Sequence, residues 1–101
     1  MVTFTNYNGE AEVLFKPWTV RTYYILKRNG LNPRTAEDCI RIGNAVRFHE
    51  VRNAGRKMAI ELYRGAGLGV YTIFHLFHGE VSLERIEAEC NFYDRLHHEA
   101  I

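Results

Sequence analysis

The sequence predicts an α+β fold. In this fold an N-terminal β-hairpin and a short helical region precede an antiparallel β-meander, and a C-terminal helix packs on the sheet. Three observations lead to this prediction: alternating apolar residues around Asn8-Gly9, a second stretch of alternation over residues 57–64, and a helix start signal at Ser82. Alternation with a period of two is typical of strands, whereas an apolar stripe repeating every 3.6 residues is typical of a helix.

Length and composition are those of one globular domain. The chain has 101 residues, and we expect residues 1–101 to form a single compact domain. Hydrophobic residues make up 47% and charged residues 25%, which argues against disorder. No apolar run approaches the roughly 18 residues of a membrane span. The N-terminus also lacks a basic segment followed by an apolar one, so we expect a cytoplasmic protein that does not contact a membrane.

The first predicted element is a β-hairpin over residues 1–15. Asn8-Gly9 is the preferred pair for a two-residue type I′ turn, because both positions of that turn need a positive φ. With this turn Phe4 faces Val13, and the apolar residues of both strands lie on one face.

Residues 18–28 fit either a strand or a helix. Their β-branched and aromatic residues favour a strand. Pro17 before the segment, Lys27 and Arg28 at its end, and Gly30 beyond it are helix start and stop signals. We interpret the segment as a helix on these signals, with the strand as the alternative.

The next predicted element is a short helix over Arg34–Gly43, after Asn32-Pro33. Thr35 and Asp38 have the spacing of a capping box, in which each side chain accepts a hydrogen bond from the backbone of the other residue. We therefore expect this helix to start beside Thr35.

The segment after residue 44 is predicted to be a three-stranded meander. We expect strands at Ala45–Val51, Lys57–Arg64 and Val70–His78, joined by two glycine-containing loops. The last strand is apolar on both faces, which predicts a central position in the sheet.

The final helix is predicted to start at Ser82. Serine is a preferred N-cap residue, and Val81 and Ile86 have the spacing of a hydrophobic staple. The expected buried stripe is Leu83, Ile86, Cys90 and Tyr93. An adjacent stripe is acidic and contains Glu84, Glu87 and Asp94.

The charges are unevenly distributed along the chain. Residues 16–57 contain ten of the thirteen Lys and Arg with three acidic residues, and so carry +7. Residues 79–101 carry −4, and the whole chain carries +1. Such a basic block can bind an acidic partner, or the acidic end of the same chain can neutralise it.

We expect a small non-enzymatic interaction protein of the regulator or inhibitor type, a class that includes proteins of phages and mobile elements. Its basic residues would bind an acidic surface on a partner. We expect that partner to be a protein, because Trp, Tyr and Arg are enriched at protein-binding hot spots. The candidate partner-binding residues are Trp18, Arg21, Tyr23, Arg28, Arg34, Arg47 and Arg52. The alternative is a nucleic-acid-binding module that uses residues 16–57, where basic residues alternate with aromatic ones. A pI of about 7.8 favours the protein partner over nucleic acid.

No catalytic, cofactor or metal site is expected from the sequence. Ser82 is the only serine and is predicted to be a helix cap, while Cys39 and Cys90 are expected to be buried, reduced thiols. Gly65–Gly69 lacks the order of a phosphate-binding loop, and the histidines lack zinc-ligand spacing.

Overall fold

A computed structural model describes residues 18–99, with side chains to residue 97, and this part of the chain is helical. The helices are α1 (Val20–Arg28), α2 (Ala36–Arg47), α3 (Arg56–Gly65), α4 (Val70–Leu76) and α5 (Leu83–Glu99). The described residues contain no β-sheet, so the predicted α+β fold is wrong. The predicted N-terminal hairpin over residues 1–15 lies outside the described residues.

The end of α1 and the start of α2 lie at signals that the sequence contains. The helical interpretation of residues 18–28 is confirmed, and Gly30 follows α1 with a φ of +66°. The capping box at the start of α2 is also confirmed. The Thr35 hydroxyl oxygen accepts a 3.1 Å hydrogen bond from the Asp38 N–H, and the Asp38 carboxylate accepts one from the Thr35 N–H. However, α2 continues beyond Gly43 to residue 47, so the first predicted strand is wrong.

The second predicted strand is instead α3, the most deeply buried helix. Every side chain from Met58 to Tyr63 is buried. A helix that is covered on all sides has apolar residues at every spacing, so the alternation of Met58, Ile60 and Leu62 does not identify a strand. Gly55 is the N-cap, and Gly67 beyond the helix has a φ of +91°.

The third predicted strand is α4. Val70, Ile73, Phe74 and Phe77 have the spacing i, i+3, i+4, i+7 of one helix face. Ile73 and Phe77 are buried, and the other two are half-buried, whereas Tyr71 is 68% exposed. The segment is therefore a short helix with one apolar side, and not a central strand.

The predicted start of α5 is confirmed. The Ser82 hydroxyl oxygen accepts a 3.2 Å hydrogen bond from the Arg85 N–H, and the helix begins at residue 83. Ile86, Cys90 and Tyr93 of the predicted stripe are buried, whereas Leu83, its first residue, is only half-buried. The helix packs on α3 and α4 and not on a sheet.

The core lies around α3, which packs against α2, α4 and α5. Its largest fully buried side chains are Tyr63, Phe77, Ile60, Leu62, Ile73 and Ile86. Helix α1 adds Ile25 and Leu26 to the same core. None of the described helices is long and apolar enough to cross a membrane.

Candidate binding surface

The structure brings only some of the predicted partner-binding residues together. Arg21, Tyr23 and Arg28 are exposed on α1. Arg34 is exposed before α2, and Arg52 is exposed in the connection between α2 and α3. The three residues of α1 are thus the only predicted ones that share a helix within the described part of the chain, and Arg21 and Tyr23, two residues apart, lie at opposite edges of its exposed side.

Trp18 and Arg47 are partly buried and contact other residues of the fold. Trp18 is half-buried and packs against the core. The Arg47 Nε donates a 3.2 Å hydrogen bond to the Tyr63 hydroxyl, and its guanidinium lies 4.3 Å from the centre of the Phe48 ring. Tyr63 in turn donates a 2.6 Å hydrogen bond to Asn44, and burial raises the pKa of Tyr63. Arg47 therefore connects α2 to α3.

The solvent-facing side of α1 is basic and aromatic. We call it the α1 surface, and it contains Val20, Arg21, Tyr23, Tyr24, Lys27 and Arg28. Val20 is 72% exposed, Tyr24 52% and Tyr23 47%. The two tyrosine rings meet edge to face at 5.4 Å, and the Lys27 ammonium lies 5.8 Å from the Tyr23 ring centre. Helix α1 contains no acidic residue.

Three of the six residues of the α1 surface were not among the predicted site residues. These are Val20, Tyr24 and Lys27. Helical spacing was the signal that could have found them, because Thr22, Ile25 and Leu26 form the buried side of α1 and these three residues lie opposite.

A buried carboxylate on α3 holds the beginning of α1. Glu61 is only 3% exposed, and it accepts a 2.9 Å hydrogen bond from the Thr19 N–H. It also accepts 2.8 Å hydrogen bonds from the hydroxyl groups of Thr19 and Thr22. Burial raises the pKa of Glu61, and the hydrogen bonds from both threonines partly offset this. The carboxylate is thus a tertiary contact that fixes where α1 starts.

A groove of about 610 Å³ lies beside Glu61, between α1, α3 and α5. The cations at its walls are Arg21, Arg56, Lys57 and Arg85. Its apolar part is formed by Met58, Ala88, Phe92 and Tyr93. The first turn of α3 has neither a side-chain cap nor an acidic residue, so the partial positive charge of the helix start adds to that of the cations.

Two contacts hold α5 against α3, and the one from Tyr93 to Lys57 lies at the groove. Arg64 donates two hydrogen bonds to the Asp94 carboxylate, at 2.9 and 2.7 Å, and a third to the Leu68 carbonyl. The hydrogen bonds to Asp94 raise the pKa of Arg64. Tyr93 donates a 2.9 Å hydrogen bond to the Lys57 carbonyl, and burial raises the pKa of the Tyr93 phenol. Asp94, one residue of the predicted acidic stripe, is therefore bound to Arg64.

The candidate nucleophiles, the two cysteine thiols, lie in the protein interior. Cys39 and Cys90 are buried and neither is in a disulfide, which confirms the expectation of unbridged thiols. Burial raises the pKa of Cys90 to about 11, so this thiol is a weak nucleophile at neutral pH. No cluster of three or more His, Cys, Asp or Glu residues within the described ranges could hold a metal ion.

Comparison with known protein families, with curated proteins and with solved structures found no match for this chain.

Proposed function

We propose that this chain is a non-enzymatic interaction domain that binds an acidic surface of a protein partner through the α1 surface. The composition of this surface is the observation that carries the proposal: three cations and two exposed tyrosines on one helix that has no acidic residue. Tyrosine rings and arginine side chains are common at binding hot spots, because they offer large contact areas at a small cost in conformational freedom.

The distribution of acidic side chains supports an external partner. Asp94 is bound to Arg64 of α3 and not to a cation of α1. Glu84 and Glu87 are exposed on α5, and neither forms an ion pair with a basic side chain among residues 18–97. Within the described part of the chain, none of these three acidic residues therefore forms an ion pair with a cation of α1.

Nucleic acid is the second candidate ligand. Tyr23 and Tyr24 are exposed enough to stack on unpaired bases, while the neighbouring cations contact phosphates. The chain as a whole carries only +1, which gives little long-range attraction to a polyanion. A protein partner fits the α1 surface better, because it can contact Val20 as well as the two tyrosines.

Affinity capture with matched variants tests the proposal. The full chain is immobilised and incubated with an extract of the cells that make it, with and without nuclease. The variant pairs are Tyr23→Ala/Tyr24→Ala and Lys27→Ala/Arg28→Ala. The controls are Tyr71→Ala on α4 and Arg95→Ala on α5, both at exposed positions. Affinity for each captured protein is then measured with purified material.

We expect a protein that the wild type and both controls retain even after nuclease treatment. The Tyr23→Ala/Tyr24→Ala variant should not retain it. Loss of the hot-spot rings is expected to weaken binding by about 2 kcal/mol or more. Retention that disappears with nuclease and falls steeply with salt would favour the nucleic-acid function instead. Equal retention by all variants would contradict both.

A further inference from the structure

We propose that the groove between α1, α3 and α5 binds an acidic segment of a protein, with a large apolar side chain of that segment inserted against Phe92. The inference rests on the proposed function and deepens it, because the groove would be a second contact for the same partner. Arg21 belongs to both the α1 surface and the groove wall, so the two sites are continuous.

The excess positive charge of the groove favours an anionic ligand. Within residues 18–97, neither Arg21, Arg56 nor Lys57 forms an ion pair with a carboxylate. The remaining cation, Arg85, lies 3.7 Å from Glu89, which is a long contact for an ion pair. Three cations thus line the groove without an ion pair to a carboxylate of the described residues, and a bound carboxylate would supply one.

The acidic residues at the groove leave these cations available. Glu61 already accepts three hydrogen bonds from Thr19 and Thr22, on the side of the groove nearest α1. Glu89 is half-buried and contacts Arg85. Four cations against two carboxylates leave the groove with an excess of positive charge.

The apolar wall distinguishes a protein segment from a simple anion. Phe92 is 51% exposed, and its ring packs edge to face on Tyr93 at 5.4 Å. Ala88, which is exposed, extends the same wall, whereas Met58 is 5% exposed and adds little accessible surface. Phosphate or an isolated carboxylate would leave this surface in water, whereas an apolar side chain next to a carboxylate would cover it. A volume of about 610 Å³ is sufficient for a few side chains.

Fluorescence anisotropy of labelled peptides on the full chain provides the test. The main probe is a short peptide that alternates glutamate and phenylalanine. A glutamate–glycine peptide removes the apolar group, a lysine–phenylalanine peptide reverses the charge, and a single-stranded oligothymidylate supplies a polyanion with flat rings. We expect the glutamate–phenylalanine peptide to bind more tightly than the other three.

Two variants locate the binding site, each with a matched control. Lys57→Glu reverses one groove cation, and a glutamate in the first turn of a helix does not weaken that helix, so its effect on binding is separate from folding. Arg95→Glu is its control on α5. Phe92→Ala removes the apolar wall, and Tyr71→Ala is its control on α4. We expect Lys57→Glu and Phe92→Ala each to lower the peptide affinity about tenfold, and the controls to leave it within about twofold.

The outcomes separate the groove from the α1 surface. If Tyr23→Ala/Tyr24→Ala weakens peptide binding and the groove variants do not, the groove inference is wrong while the proposed function stands. If the glutamate–phenylalanine peptide fails to bind, or binds no better than the lysine peptide, the groove inference is also overturned. Preference for the oligothymidylate would assign the groove to nucleic acid.

The chain itself offers one competing occupant. Glu10 and Glu12 lie in residues 1–17, and this segment joins the described chain next to Thr19 of the groove. The double variant Glu10→Gln/Glu12→Gln tests this possibility. We expect unchanged peptide affinity, whereas a clear gain in affinity would identify residues 1–17 as the occupant and would overturn the external ligand.

Discussion

The hydroxyl group of Thr22 donates a 2.8 Å hydrogen bond to the carboxylate of Glu61, from α1 to α3. The same carboxylate accepts hydrogen bonds from the backbone N–H and hydroxyl group of Thr19. Thr19 is the N-cap of α1 and makes no side-chain cap of its own. One side chain of α3 therefore positions the helix that carries the candidate binding surface.

Replacing Thr22 with valine tests this contact. Valine keeps the shape of threonine but removes one hydrogen-bond donor from a buried carboxylate. We expect Thr22→Val to lower the free energy of unfolding by about 1–2 kcal/mol, measured by urea denaturation. Thr72→Val, at an exposed position of α4, is the matched control and is expected to change it by less than about 0.5 kcal/mol. Equal effects of the two substitutions would show that the hydrogen bond to Glu61 contributes nothing.

The titration of Glu61 gives a pH dependence with a defined sign. Burial raises the pKa of Glu61 above its ordinary value of 4.5, so the folded protein keeps this proton to a higher pH than the unfolded chain. The stabilising contribution of this proton is therefore complete below about pH 4.5 and is lost as pH rises through the folded pKa. Relative to Glu61→Gln, which does not titrate, the wild type should gain stability as pH falls from neutral.

The comparison with Glu61→Gln isolates this effect from other groups. A hydrogen bond from the Arg34 backbone lowers the pKa of Asp38, so its contribution falls on acidification, and it does so equally in both proteins. Unfolding free energies of wild type and Glu61→Gln at several pH values give the required difference. A wild type that loses stability relative to Glu61→Gln on acidification would contradict a raised pKa for Glu61.

The close approach of α2 and α3 depends on Gly43. A Cβ atom at this position would lie 2.8 Å from Cε1 of Tyr63, whose ring is fully buried and whose hydroxyl group is bonded to Asn44 and Arg47. Alanine is the better helix former by about 1 kcal/mol, but the clash with a fixed ring outweighs this. We expect Gly43→Ala to lower the free energy of unfolding by about 1 kcal/mol or more in thermal or urea denaturation.

A double-mutant cycle checks that the ring is the cause of this loss. Leucine at position 63 lacks the ring atom that the new Cβ would meet. The loss from Gly43→Ala should therefore be smaller in a Tyr63→Leu background than in the wild type. The same loss in both backgrounds would show that another contact of Gly43 is responsible.

Three of the helix boundaries, namely the end of α1 and the starts of α2 and α5, were predictable because their signals are local. Lys27, Arg28 and Gly30 end α1, Thr35 begins α2 through a contact three residues away, and Ser82 begins α5 in the same manner. Each signal is a hydrogen bond or charge interaction within one helical turn, so a short stretch of sequence contains all of it.

The middle of the chain was not predictable by the same means. Met58, Ile60 and Leu62 alternate like a strand because neighbouring helices cover α3 on every side. The one-sided stripe of α4, which includes Ile73 and Phe77, extends over only two turns. A period-two pattern and a period-3.6 pattern both fit such segments, and only the tertiary packing decides between them.

The candidate site likewise combines residues that the sequence identified with residues that only the fold brings together. Arg21, Tyr23 and Arg28 were identified from composition, and their shared helix follows from local signals. The groove needs Arg21, Lys57 and Arg85, which come from three helices far apart in the sequence. No spacing in the sequence brings these residues together, because their proximity is a property of the fold.

The link between α3 and α5 is expected to need an arginine. Arg64 donates two parallel hydrogen bonds to Asp94 and a third to the Leu68 carbonyl, which a lysine ammonium cannot reproduce. The side chains of Arg64 and Asp94 are 25% and 41% exposed, so water screens part of the interaction. We expect Arg64→Lys to lower the free energy of unfolding by about 1 kcal/mol in urea denaturation.

The exposed pair of Arg41 and Asp38 supplies the control for this substitution. The Arg41 side chain is 69% exposed and makes one hydrogen bond to Asp38. Arg41→Lys should therefore change the free energy of unfolding by less than about 0.5 kcal/mol. If the two lysine substitutions have the same effect, the paired geometry at Asp94 adds no stability.

The two thiols are expected to be reduced and protected by the fold. Cys39 and Cys90 are both 0% exposed, and burial raises the pKa of Cys90 to about 11, so little thiolate is present at neutral pH. A thiol reagent in denaturant without reductant should titrate both cysteines. In native buffer the same reagent should react slowly, at a rate set by opening of the structure. The variant Cys39→Ala leaves Cys90 as the only thiol and assigns the two reactions. Rapid labelling of native Cys39→Ala would contradict the burial of Cys90, and an absence of thiols in the denatured monomer would reveal a disulfide.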